Sequence, residues 1–331
     1  LPDYSVRKNF SIQWTHSQDA KFNPYCTFSA SVNFATSGYN RSNINSYYNS
    51  ELYSENTKSS TINYTQRFPD SPWNLSLSAS LTQRTSDSTL SITAPQLSVS
   101  MSSVYPFKLW RQATLKRKGG VAGKEKWYEK IKMSYSMSGK IGINSVKENQ
   151  LFKTNFLRDW QVSMNHSVPI SASFMLFKYL SVTPQINLRD RMYFTRVDQR
   201  WDEEINGVAR DTTTGFYNVF DFDVSVALST KLYGFYTPLK KLFPNSKVEK
   251  FRHVITPNIS FSYHPNFEKP GWGYYGSYDE PVIKDEDTTY IHRVYSRLPS
   301  GNAPRELSAN HSFGAANNME MKNVNKDDTK G

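Results

Sequence analysis

Apolar residues recur at every second position through most of this chain, the period at which β-strand side chains return to one face. The clearest case is 251–267, FRHVITPNISFSYHPNF. Ile255, Pro257, Ile259, Phe261 and Tyr263 share one side, and Thr256, Asn258, Ser260, Ser262 and His264 share the other. The wet side is built of neutral hydroxyls and amides, and the greasy side ends in aromatic rings. That combination predicts a strand of a transmembrane β-barrel, with lipid against one face and water against the other.

The same pattern can be phased elsewhere. A first strand, about 7–18, carries Phe10, Ile12 and Trp14. A second, 24–37, sets Cys26, Phe28, Ala30, Val32 and Phe34 against Thr27, Ser29, Ser31 and Asn33. A third has Ile62, Tyr64 and Phe68, and a fourth alternates Trp73, Leu75, Leu77, Ala79 and Leu81 with Ser76, Ser78 and Ser80. In the fifth, Leu90, Ile92 and Ala94 occupy even positions and Leu97, Val99 and Met101 odd ones. The phase flips at Pro95, as at a β-bulge, where proline has no ladder hydrogen to lose. A sixth carries Ile131, Met133, Tyr135, Met137, Ile141 and Ile143. The seventh runs from Trp160 through Val168 and reads as shifting phase at Pro169 on its way to Phe174. The eighth spans 180–194, the ninth runs from Phe220 to Leu232, the tenth is 251–267, and an eleventh begins near Leu307. Residues 181–187 and 254–260 echo one another around a shared Thr-Pro. This sets the eighth and tenth strands rising from the same end, two strands apart.

The connections alternate in kind. Links after odd-numbered strands carry aromatic and proline signals: Phe22 with Pro24, Phe68-Pro69, Tyr105-Pro106, Phe177 with Tyr179, Tyr236 with Pro238. The others, 38–58, 145–156, 190–215 and 264–306, are mostly long and polar. Short turns at an aromatic rim on one end and long loops on the other are the arrangement of an outer-membrane barrel. Two links break the rule: 84–89 is short on the loop side, and 107–130 is long on the turn side.

Composition narrows the classes. Aromatics make up 15% of the 331 residues, with 21 Tyr and 20 Phe, which favours strands over a helical enzyme. The mean hydropathy of −0.63 does not separate a soluble β-protein from a barrel, whose strands need apolar residues at only every second position. No run of about 18 apolar residues offers a transmembrane helix. The single Cys26 permits no internal disulfide and no multi-cysteine metal site. The net charge is +11, and many of the basic residues crowd into 108–130 instead of being spread over a face among aromatics, which argues against nucleic acid. Leu1 to Tyr4 has neither a basic nor an apolar leader region. Both ends read as cuts, so 1–331 is expected to be a single domain, part of a barrel whose N-terminal periplasmic domain and terminal strands are absent.

No catalytic constellation emerges. His166 and Ser167 are adjacent in a strand and so point to opposite faces, and His16 lies near a turn. Asp221 and Asp223 share a polar face and read either as a cation site or as lining of a wet lumen. Residues 285–287 read as a solvated loop tip, without the spacing of a metal loop. Gly119, Gly120 and Gly123 lie in a basic loop where flexibility explains them. The segment 108–130 reads first as an exposed or disordered insertion. Its functional reading is contact with an anionic partner through Arg111, Lys116, Arg117 and Lys118. No catalytic residue, metal ligand or cofactor is expected.

Several stretches together resemble LptD, the lipopolysaccharide-assembly outer-membrane protein family, in its Bacteroidetes-type form. They are Trp14 to Asp19, Phe28 to Phe34, Val182 to Pro184, Arg252 to Pro265 and Phe313 to Glu320, in that order and spacing. The resemblance implies a very large barrel in the bacterial outer membrane. It would take lipopolysaccharide from periplasmic bridge proteins and deliver it to the outer leaflet around an LptE-type lipoprotein plug. Outer-membrane lipid would surround it. A polar face of Thr27, Ser29, Ser31, Asn33, Ser76, Ser78, Ser80, Asn258 and Ser260 offers exchangeable hydrogen bonds along which sugar chains could slide. A porin would instead show charged rings at a constriction. The expectation is therefore an all-β chain, about eleven antiparallel strands of a transmembrane barrel that transports without covalent chemistry. A general porin or other channel is the alternative, followed by a barrel hydrolase or a surface adhesin.

Overall fold

A computed structural model describes residues 10–19, 21–36, 57–121, 123–155, 159–237, 248–284, 287–299 and 301–323, together with Tyr39 and Tyr48. The strands are β1 (Ser11–Ser17), β2 (Cys26–Ala35), β3 (Thr57–Arg67), β4 (Trp73–Arg84) and β5 (Thr89–Val104). They continue with β6 (Ile131–Lys147), β7 (Gln161–Ala172), β8 (Phe174–Leu176), β9 (Leu180–Asp202) and β10 (Gly207–Ser229). The last are β11 (Leu232–Tyr236), β12 (Val248–His264), β13 (Tyr275–Lys284), β14 (Asp287–Ser296) and β15 (Ser308–Asn323). Thirteen form one antiparallel sheet, and β13 with β14 makes a separate hairpin.

The thirteen segments reduce to eleven strands. Along β9, Ser171 of β7 faces Gln185 and Phe174 of β8 faces Val182 in unbroken register. Along β12, Ser229 of β10 faces Asn258 and Leu232 of β11 faces Ile255, again without a shift. What results is a meander in which each strand pairs with the next, the number and order that the alternation predicts. Among the described residues β1 pairs only with β2 and β15 only with β12, so the wall is open.

The strands are staggered as barrel geometry demands. Following direct partners from Ser17, the last residue of β1, leads through Ser29, Asn63, Ser78, Gln96, Lys140 and Ser163 to Tyr193, in the middle of β9. The same pairings put the apolar residues on the other face. Ile12, Trp14, Ile62, Leu77, Ile186, Ile259, Phe261 and Phe313 are all exposed there. An apolar surface of this extent, on a wall with a polar inner side, is suited to lipid and not to water. At the turn end Phe22, Tyr25, Phe68, Trp73, Tyr105, Phe177 and Tyr179 form an exposed aromatic rim.

Several expectations are corrected. The bulge near Pro95 is present, as register shifts between Ser78 and Ser80 of β4 and between Thr93 and Gln96 of β5. No shift occurs at Pro169, which sits opposite Asn187 in continuous pairing, and the apolar residues either side of it are all even-numbered. Residues 190–215 are not a loop: β9 and β10 are 23 residues each and meet in the short turn 203–206. A crossing needs about 9–11 residues, so this hairpin runs well past the membrane on the loop side. The link 107–130 is not disordered but holds helix α1 (Pro106–Arg117) and a 3₁₀ turn, Trp127–Lys130. The link 264–306 folds into the β13–β14 hairpin and packs on the wall. The expected loop 38–58 and the tip 285–287 lie largely outside the described residues, as does the C-terminal end from 324.

One seam departs from the backbone ladder. β2 and β3 pair only as far as Ser31 and Thr61. Beyond that, Ser60 Oγ accepts from Asn33 N at 3.0 Å and donates to Asn33 O at 3.1 Å. Gln83 Oε1 accepts from Ala35 N at 3.3 Å while its Nε2 donates to Ala35 O and to Glu148 Oε1, the latter at 2.8 Å. Side chains thus satisfy main-chain groups that would otherwise be unpaired.

The face assignment is testable on neighbouring residues of β4. Leu77→Arg is expected to destabilise the lipid-inserted protein by about 2–4 kcal/mol, whereas Ser78→Arg is close to neutral. Urea unfolding from lipid vesicles checks it, and equal losses at both positions contradict the assignment.

Candidate functional site

The residues expected to line a polar path do share one face. Thr27, Thr65, Ser76 and Ser98 are successive partners across four strands, as are Ser29, Asn63, Ser78 and Gln96, and Ser31, Thr61, Ser80 and Thr93. Ser260 pairs with Ala227 and Asn258 with Ser229, on the same face at the other end of the wall. The Ser260 and Ser312 hydroxyls are 2.6 Å apart, so the hydroxyl band continues onto β15. Asn33 lies on the same face, with its main chain tied into the β2–β3 seam. Near the turn end the band holds an open recess of about 460 Å³, lined by Thr65, Ser76, Ser98 and Ser100 among others.

Fixed charge joins the hydroxyls on the same face, at Lys140 on β6 and in a cluster on β9 and β10 around Asp221 and Asp223. Arg189 Nε lies 2.7 Å from Asp221 Oδ1, and Arg189 Nη1 lies 2.7 Å from Asp223 Oδ1. Arg191 Nη1 contacts Asp221 Oδ2, and Asn187 donates to Asp223 at 2.7 Å. Asp221 is fully buried. Its carboxylate is thus held between two guanidiniums, which corrects the cation-site reading. The sequence signal was available: Gln185, Asn187, Arg189, Arg191 and Tyr193 alternate on one face opposite Asp221 and Asp223.

Above this cluster the described residues of 265–306 fold over the wall. Phe267, Leu298 and Ala303 close on Tyr193 and Val219 in a buried apolar cluster, with Phe222 and Tyr274 packed against it. Phe267 N donates to Pro304 O at 3.2 Å, and Val197 N donates to Arg297 O at 2.9 Å. The Tyr274 hydroxyl lies 3.2 Å from Phe220 N and 3.1 Å from Phe220 O, replacing the strand partner that β12 no longer supplies. A connection expected to be a solvated loop is therefore a built cover resting on the polar face.

On the opposite face, the Tyr135 hydroxyl lies 2.7 Å from His166 Nδ1, and Asp190 stands opposite His166 in the ladder. His166 Nε2 and Asp190 Oδ1 make no hydrogen bond, so the three side chains do not form a proton relay. Ser167 points to the other face, opposite Ser136 and Arg189. His16 packs its ring between Trp14 and Phe28 on β1 and β2. Among the described residues no group of His, Cys, Asp and Glu could hold a metal ion.

The basic segment divides in two. Arg111 is engaged, its Nη1 2.7 Å from Glu129 Oε2, while Lys116, Arg117 and Lys118 stand exposed at the C-terminal end of α1. Basic side chains there complement the helix dipole. Hydrogen bonding from Lys126 N, at 2.6 Å, and then the Arg111 guanidinium hold the Glu129 carboxyl below its ordinary value, against burial that pushes it up.

Two predictions follow from these contacts. Asp221→Asn leaves two guanidiniums facing a neutral amide and is expected to cost about 3–5 kcal/mol, with a smaller loss for Asp223→Asn, read by thermal unfolding. Because the Glu129 value is depressed in the folded chain, its contribution is present above the ordinary carboxylate range and lost as pH falls through the lowered value. Fluorescence of Trp110 and Trp127 should report that acid transition, and Glu129→Gln should abolish it.

A family model described as LptD protein matches this chain over residues 1–331. No curated protein matches it.

Proposed function

The chain belongs to the LptD protein family, and from that membership we propose that its polar face is part of the path along which lipopolysaccharide reaches the outer leaflet. The family is one of outer-membrane transport proteins, and the antiparallel wall with its exposed apolar band suits that setting. The observation that carries the finer reading is the in-register band of hydroxyls on β2 to β6. Neutral hydroxyls and amides exchange hydrogen bonds with a sugar at little net cost, because each bond broken to water or glycan is replaced by a similar one. A hydrated glycan can advance along such a surface without a deep minimum.

The partners follow from the family: a lipoprotein plug in the lumen and periplasmic bridge proteins that hand over the lipid. No covalent step is required of any residue. A general porin is the second reading, favoured by the charges on β9 and β10, since channels place such groups at constrictions. Here Arg189, Arg191, Asp221 and Asp223 neutralise one another in pairs, which leaves little field to select small ions.

Photo-crosslinking in cells separates the two readings. Probes at Ser29, Ser31 and Ser78 are expected to yield lipopolysaccharide adducts, and probes at Phe28 and Leu77 are the controls. A folded, membrane-inserted protein without adducts at the serines would move the assignment to the porin.

A further inference from the structure

Helix α1 is built inside out. Successive residues of a helix turn by about 100°, which sets Lys108, Arg111 and Leu115 on one side and Leu109, Trp110 and Ala113 on the other. The side facing the rest of the protein is the cationic one. Lys108 Nζ is 2.9 Å from Glu125 Oε1, Arg111 Nη1 is 2.7 Å from Glu129 Oε2, and the same nitrogen donates to Lys124 O at 3.2 Å. Leu109 and Trp110 are 55% and 66% exposed, and Trp127, in the 3₁₀ turn that follows, is 70% exposed. Ala113, Lys116 and Arg117 are exposed on the same outer side. A helix docked on a globular core does the reverse, hiding its apolar stripe and showing its charges.

What covers this stripe is indicated by its position and its charge. Only Tyr105 separates β5 from α1, so the helix leaves the wall at the level of the aromatic rim. Trp73 and Tyr135 stack edge to face there, with centroids 5.8 Å apart, on the lipid side of β4 and β6. Helix α1 thus begins beside a surface that already meets lipid. Lys116, Arg117 and Lys118 are exposed at its C-terminal end, a cationic border that complements anionic headgroups. The outer side is apolar over Leu109, Trp110 and Ala113 and turns cationic at Lys116 and Arg117, and a short apolar patch with Trp next to Lys and Arg suits the headgroup layer.

We propose that α1, with Trp127, seats on the anionic phospholipid headgroups at the turn end of the barrel wall and holds that end at the membrane surface. The ion pairs to Glu125 and Glu129 orient the helix, and Leu109 and Trp110 enter the boundary between headgroups and acyl chains. This role is separate from the sugar path and does not depend on it.

The test uses the intact protein with Cys26→Ser and one added cysteine, Ala113→Cys or Gln112→Cys, carrying a nitrobenzoxadiazole probe. It is reconstituted into vesicles of phosphatidylethanolamine with or without phosphatidylglycerol, after confirming that each variant retains the gel shift of a folded barrel. The probe at 113 is expected to shift to the blue and to be quenched by a nitroxide near the lipid headgroup, more so with phosphatidylglycerol. The probe at 112 should remain open to aqueous iodide. Adding Lys116→Ser and Arg117→Ser should remove the dependence on phosphatidylglycerol. A probe at 113 that stays open to iodide in vesicles overturns the proposal. If that probe is shielded only in native outer membranes, a protein partner covers the helix instead, and the proposal also fails.

Discussion

A peptide group left unpaired in hydrocarbon costs several kcal/mol, so a chain that crosses a membrane with strands must pair every main-chain donor and acceptor with a neighbour. Inside the wall the meander of eleven strands meets that demand without a crossover, leaving the outer edges of β1 and β15 open among the described residues, and its period-2 geometry then sets the two faces. Each strand has to place one row of side chains against lipid and the next against water. Where pairing is interrupted, between β7 and β8 and between β10 and β11, the register resumes unchanged, so the faces are not exchanged.

What could be read from the sequence follows from the same constraint. Within the membrane the alternation of Phe28, Ala30 and Val32 with Ser29, Ser31 and Asn33 is enforced from both sides, and strands of that kind were legible with their faces. Outside it neither face of a strand meets lipid, so Arg196, Asp198, Arg200 and Asp202 carry no hydrophobic period although they lie in β9. That is why 190–215 looked like a loop. Helix α1 was missed for a related reason. Its apolar positions do not face a core, and its basic residues read as those of an exposed or disordered insertion. The phase at Pro169 was misread from a proline alone, although Val168 and Ile170 keep the same parity.

The polar face is not uniform. On β2 to β5 it offers mainly hydroxyls and amides, and on β9 and β10 it turns to paired charges beneath the cover formed by 265–306. The hydroxyl half was visible because serine and threonine repeat at alternate positions. The charged half depends on which strand neighbours which. Arg189 and Asp221 are 32 residues apart and meet only because β9 and β10 run antiparallel in one register. The cover depends on still more distant contacts, with Tyr193 meeting Phe267 and Leu298, and no local pattern encodes it.

The β2–β3 seam gives the loop-side rim a different mechanical character from the rest of the wall. A backbone ladder opens cooperatively, since unpairing one residue loosens the next. A clasp made by Ser60 and Gln83 instead releases when two side chains rotate, each on its own and without moving a strand out of register. The amides of Asn33 and Ala35 can therefore exchange with solvent locally, while those of Phe28 and Ala30 stay locked. At this seam the rim is held by side chains where the rest of the wall is held by its backbone.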